Sequence, residues 1–132
     1  MYDPTGIKLV NSEIGYGLYA TEDIPVGAVI LRDVARPVDA EGAANAFEGF
    51  SKIFQYVFLG LHKEVNCWLV LGTSSLLNNS DTPNVELLWS TREDGLTFLN
   101  ILATSAISEG DEITHTYGGG GNEVAHEDVR LL

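Results

Sequence analysis

Fourteen glycines and four prolines punctuate this 132-residue chain, and they constrain its fold more than any other feature. Glycine reaches backbone angles closed to other residues, and proline interrupts both helices and strand pairing. A chain cut so often favours a loop-rich β fold over a helical bundle. The stretches 7–10, 18–21, 28–38, 67–71, 85–89 and 96–107 read as strands. Ile24-Pro25-Val26-Gly27 reads as a Pro/Gly turn, and Asp94-Gly95 is a hairpin signal. Gly15-Tyr16-Gly17, an aromatic between two glycines, reads as a tight turn.

One stretch changes period. Phe47, Phe50, Phe54, Val57, Phe58 and Leu61 recur at three-and-four spacing, and Ala43, Ala44 and Ala46 favour the same state. They predict one helix from Glu41 to Leu61, ending near Gly60. Tyr56 falls off the apolar stripe of that helix. Trp68, Trp89, Phe98 and the helix phenylalanines are assigned to the core. Many short strands with one helix exclude a parallel βαβ arrangement. The length fits a single domain over 1–132, with its core in 7–118. The tail 119–132 opens on glycines and reads as mobile or as ordered only on binding.

Net charge is −12, from 19 acidic against seven basic residues. A nucleic-acid binder needs a basic face, so direct binding of nucleic acid is not expected. An acidic surface attracts cationic partners, such as a lysine-rich peptide or a cationic cofactor, although solubility alone accounts for the charge. Cys67 is the single cysteine, which excludes an intrachain disulfide and a cysteine-cluster zinc site; no metal is expected. The start lacks a basic region followed by an apolar core, and no apolar run has the length of a membrane span. The chain therefore reads as intracellular, soluble and without a membrane partner.

Three motif regions remain. They are Gly15-Tyr16-Gly17-Leu18-Tyr19-Ala20, the polar turn Asn78-Asn79-Ser80-Asp81-Thr82-Pro83-Asn84, and Gly110-Asp111-Glu112-Ile113-Thr114-His115-Thr116-Tyr117-Gly118. In this order and spacing they resemble the SET domain, the protein-lysine methyltransferase family, and most nearly its minimal stand-alone viral members. The resemblance runs from Ile7 to Gly118. It implies several small curved sheets (a β-clip-like fold) with a C-terminal pseudoknot, and S-adenosyl-L-methionine as cofactor. It also implies a lysine in a basic protein or histone-like tail as substrate, and a homodimer.

By the same resemblance, Gly15, Tyr16 and Gly17 contact the cofactor through the main chain. Asn78 holds its amino-acid end, and Asn79 contacts adenine through its backbone. Tyr117 is the catalytic residue, and Tyr56 lines the substrate-lysine channel. The family pattern is Asn-His-Ser-Cys-x-Pro-Asn, so Asn79 and Asp81 depart from it. Those departures motivate the alternative of a catalytically silent SET-like interaction module. A third reading is methylation of a non-protein amine. His115 shares a strand face with Tyr117 by period two and reads as a surface histidine.

Overall fold

The computed structural model describes residues 7–12, 15–38, 57–62, 65–116 and 122–123. Strands supply nearly all of their regular structure. In chain order these are β1 (Ile7–Ser12), β2 (Gly15–Ala20), β3 (Val29–Pro37), β4 (Val57–His62) and β5 (Val65–Leu71), then β6 (Asn78–Asn79), β7 (Val85–Thr91), β8 (Thr97–Ala103), β9 (Glu112–His115) and β10 (Asn122–Glu123). A 3-10 turn at Thr73–Leu76 leads into β6. Among the described residues, no helix is long and apolar enough to cross a membrane.

The strands form two sheets. The smaller has the order β1-β2-β9-β6, and the larger β10-β7-β8-β3-β5-β4. Pairing is antiparallel except at β6–β9 and β10–β7, where segments distant in sequence run parallel. The sequence explains which faces meet. Period two places Val85, Leu87 and Trp89 of β7 and Leu99, Ile101 and Ala103 of β8 on one side, all buried. Leu18 and Ala20 of β2 and Ile113 of β9 supply the buried side of the small sheet. All nine belong to one apolar cluster. Burying a side chain of leucine or isoleucine size stabilises by roughly 1.5–3 kcal/mol, so this cluster carries most of the drive for the two sheets to associate. Trp68 joins it, its ring centroid 5.4 Å from that of Trp89.

The hairpin signal at Asp94-Gly95 holds. β7 and β8 pair in continuous register from Val85↔Ala103 to Thr91↔Thr97, and Gly95 takes φ 89 in the connection. Asp94 closes the turn by accepting from the Leu96 N–H at 3.1 Å and from the Arg92 guanidinium at 2.6 Å. That pairing with Arg92 holds the Asp94 carboxyl down at about 2.

Several expectations change. The helix predicted over 41–61 is not continued through its last turns, because Val57–His62 is strand β4. Val57, Phe58 and Leu59 pair with Leu69, Trp68 and Cys67, so ladder bonds to the next strand, β5, override the helical spacing. Residues 41–56, including Tyr56, lie outside the described residues. Gly15-Tyr16-Gly17 is not a turn but the start of β2, paired with β1 from Ser12↔Gly15 to Val10↔Gly17. Phe98 is half-buried on the outer face of the large sheet, with the Arg32 guanidinium 4.1 Å from its ring centroid. The tail read as mobile contains β10, which pairs with Leu88 and Trp89 of β7. The pseudoknot needs residues 117–121, which lie outside the described residues.

Candidate functional site

Strand β9 joins the motif regions. It pairs with β2 through Leu18↔Ile113 and Tyr19↔Glu112, and with β6 through Asn78↔Thr114 and Asn79↔His115. The three segments singled out in the sequence thus become three adjacent strands of the small sheet. Ile113 and His115 point into the interior, and Glu112 and Thr114 point away from it.

On that outward side the polar groups converge. The Asn78 side-chain amide donates to the Tyr16 carbonyl at 2.9 Å and to the Glu112 carboxylate at 2.8 Å. Both Nδ2 hydrogens are committed, which fixes the orientation of the amide. Gly17 lies against the same pair. A Cβ there would meet Glu112 Oε2 at 2.7 Å and Asn78 Nδ2 at 3.0 Å. Glycine serves here for close approach rather than for a turn angle. Tyr16 meets the patch through its main-chain carbonyl, and the residue as a whole is 53% exposed.

The turn from Asn78 to Asn84 is stitched to β9. The Ser80 N–H donates to the His115 carbonyl at 2.9 Å, and the Thr116 hydroxyl donates to the Ser80 carbonyl at 3.0 Å. Asn84 acts as a substitute strand residue. Its amide donates to the Glu112 carbonyl at 2.8 Å and accepts from the Thr114 N–H at 2.9 Å, and its own N–H donates to the Thr114 carbonyl at 3.2 Å. A carboxamide offers one donor and one acceptor as a peptide unit does, so asparagine can extend a ladder where the backbone turns away.

The structure therefore brings Tyr16, Gly17 and Asn78 into contact, and places Gly15 and Asn79 on the same sheet, paired with Ser12 and His115. It adds Glu112 and Asn84, whose roles the sequence reading missed. The signal for Glu112 was its phase: period two sets it on the side of β9 opposite Ile113. Asn79 is exposed. Tyr117 lies outside the described residues and directly follows Thr116, the last described residue of this strand's exit. His115 is not a surface residue. It is 4% exposed, and burial pushes its imidazole down to about 4.

The family profile described as the SET domain matches residues 15–118. The chain belongs to the SET-domain family. Solved structures carry the same fold. A candidate histone methyltransferase of Plasmodium falciparum is 23% identical, with a TM-score of 0.68 over 89% of this chain and 96% of that one. The ctPRC2 in an autoinhibited conformation bound to S-adenosylmethionine is 21% identical, with a TM-score of 0.68 over 90% of this chain and 16% of that one. A humanized mutant of the Chaetomium thermophilum Polycomb Repressive Complex 2 gives 20% identity and a TM-score of 0.68, over 90% of this chain and 16% of that one. The SET domain described here thus spans nearly all of the Plasmodium chain and about a sixth of the two complex chains. No curated protein matches this chain in sequence.

Proposed function

We propose that this SET domain is an S-adenosylmethionine-dependent protein-lysine N-methyltransferase acting on a lysine in a basic protein segment. The observation that carries the reading is the convergence of Gly17, Asn78 and Glu112 on one side of the small sheet, on the strand that leads into Tyr117. The donor set fits the cofactor. The Asn78 amide oxygen, the Glu112 carboxylate and a main-chain carbonyl, gathered by the bonds of the Asn78 amide, are acceptors that suit the α-ammonium of the cofactor's amino-acid end. The matched ctPRC2 is itself bound to S-adenosylmethionine, which supports the same assignment.

When bound, S-adenosylmethionine supplies an electrophilic methyl group on a cationic sulfur. The chain's own residues then have three tasks. Asn78 holds the amino-acid end, its amide kept in place by the Tyr16 carbonyl and Glu112. Gly15, Tyr16, Gly17 and Asn79 present the main chain, and Asn79 does so whatever its side chain. Tyr117 orients the lysine amine, with Tyr56 lining the channel that admits its stem. A free lysine has a pKa near 10.4, so the amine must shed a proton before it can act as nucleophile. A nearby positive charge and a poorly hydrated channel both lower that pKa. Little acid–base machinery is then needed, and alignment is the main contribution. The net charge of −12 favours a basic target.

Transfer of a labelled methyl group to a panel of basic proteins tests this reading. Wild type is expected to label at least one, and Tyr117→Phe to lose on the order of 10²-fold or more in rate, the usual effect of removing one oriented hydroxyl from a reacting centre. Cofactor binding without any transfer would favour the second reading, a silent interaction module, which the departures at Asn79 and Asp81 motivate.

A further inference from the structure

The proposed cofactor residues lie on the small sheet, yet the segment that delivers Asn78 is tied to the large one. Asp33 lies in the middle of β3, opposite Leu99 of β8. Its Oδ2 accepts from the Ser74 N–H at 2.8 Å and from the Ser74 hydroxyl. Ser74 is fully buried. A Cβ at Gly72 would lie 2.2 Å from Asp33 Oδ1 and 2.8 Å from Oδ2. Two bonds to Ser74 hold this carboxylate in place, so it cannot swing away from an added methyl as a surface side chain would.

From Ser74 the connection continues to the site without a gap. The Ser75 N–H and hydroxyl both donate to the Gly72 carbonyl, at 3.2 and 2.8 Å. The Leu77 N–H donates to the Ser74 carbonyl at 3.2 Å. Leu77 is 3% exposed and plugs the core, and Asn78 follows it. Leu77 fixes the depth of this segment by apolar burial, which specifies no direction about its own axis. The hydrogen bonds from Asp33 are directional and supply what burial leaves open.

We infer that Asp33 is the positioning residue for Asn78: through Ser74 and the Thr73–Leu76 turn it registers the proposed cofactor site against the large sheet. This rests on the cofactor reading above, and the test separates the two. S-adenosylmethionine is titrated calorimetrically into wild type, Asp33→Asn, Asp33→Ala and Ser74→Ala. Ile107→Val, a buried position on the bridge to Ile24, controls for lost stability alone. Asp33→Ala is expected to weaken binding tenfold or more. Asp33→Asn, whose amide oxygen can still accept from Ser74 without the charge, and Ser74→Ala, which keeps the main-chain bond, should weaken it less. The double variant Asp33→Ala/Ser74→Ala should bind no worse than Asp33→Ala, and Ile107→Val should bind as wild type. Wild-type affinity in Asp33→Ala would overturn the inference.

A second readout uses no cofactor. The side-chain amide signal of Asn78 in the nuclear magnetic resonance spectrum is expected to shift in Asp33→Ala and Asp33→Asn and to stay in place in Ile107→Val. If wild type binds no cofactor, the cofactor reading fails, and this signal alone decides on Asp33. An unmoved Asn78 amide in both Asp33 variants would overturn the positioning role.

Discussion

Gly17 and His115 show how much a single residue carries in this small sheet. A methyl at Gly17 meets the end of Glu112, a flexible side chain, more closely than it meets anything else. Glu112 can move aside, so Gly17→Ala is expected to cost stability only about 1 kcal/mol, at the low end for overpacking. The displaced carboxylate is the one that Asn78 bonds, so cofactor affinity should fall further than stability does. Equal affinity in Gly17→Ala and wild type would detach this glycine from the site. His115 makes a prediction in pH. Its folded pKa of about 4 lies below the ordinary 6.5, so the unfolded chain binds the extra proton first. Its contribution is fully present above pH 6.5 and is lost as pH falls toward 4. Between pH 7 and pH 5 the loss is about 2 kcal/mol by linkage. Urea unfolding at both pH values should show that drop in wild type and a clearly smaller one in His115→Gln. The burial of His115 was legible, since period two puts it in phase with Ile113. Reading it as a surface residue weighed its polarity over its phase.

Among the elements, β9 is the most informative. It is four residues long, yet it holds β2 on one side and β6 on the other, and Asn84 extends its ladder. Asn84→Ala removes two hydrogen bonds to β9 and leaves the Thr114 N–H and Glu112 carbonyl without them. At about 1 kcal/mol per bond, with the desolvation of orphaned groups added, the expected cost is roughly 2–3 kcal/mol. Thermal denaturation checks it, and a loss under 0.5 kcal/mol would show that water substitutes freely there. The strands bounded by Gly, Pro and Asp-Gly were legible because turn chemistry is local. β4 was not. Its residues Val57, Phe58 and Leu61 carry helical spacing, and only antiparallel pairing with β5 assigns them to a strand. The two parallel pairings were equally hidden, because nothing near Asn78 or Asn122 encodes a partner dozens of residues away.

At the scale of the molecule, the fold places a polar patch on the outward side of a small sheet whose inward side seals the core. The three motif regions, far apart in sequence, become neighbours because β9 inserts between β2 and β6. The order of those motifs was visible in the sequence and suggested the family. That Asn78 spends its amide on Tyr16 and Glu112 was not, since it depends on sheet order. This patch is the proposed cofactor site. Calorimetric titration of S-adenosylmethionine into wild type and Asn78→Ala addresses it directly. Micromolar-range binding by wild type is expected, weakened at least tenfold, about 1.4 kcal/mol, in Asn78→Ala. Equal binding by both proteins would place the cofactor elsewhere, and no binding by wild type would contradict the claim outright.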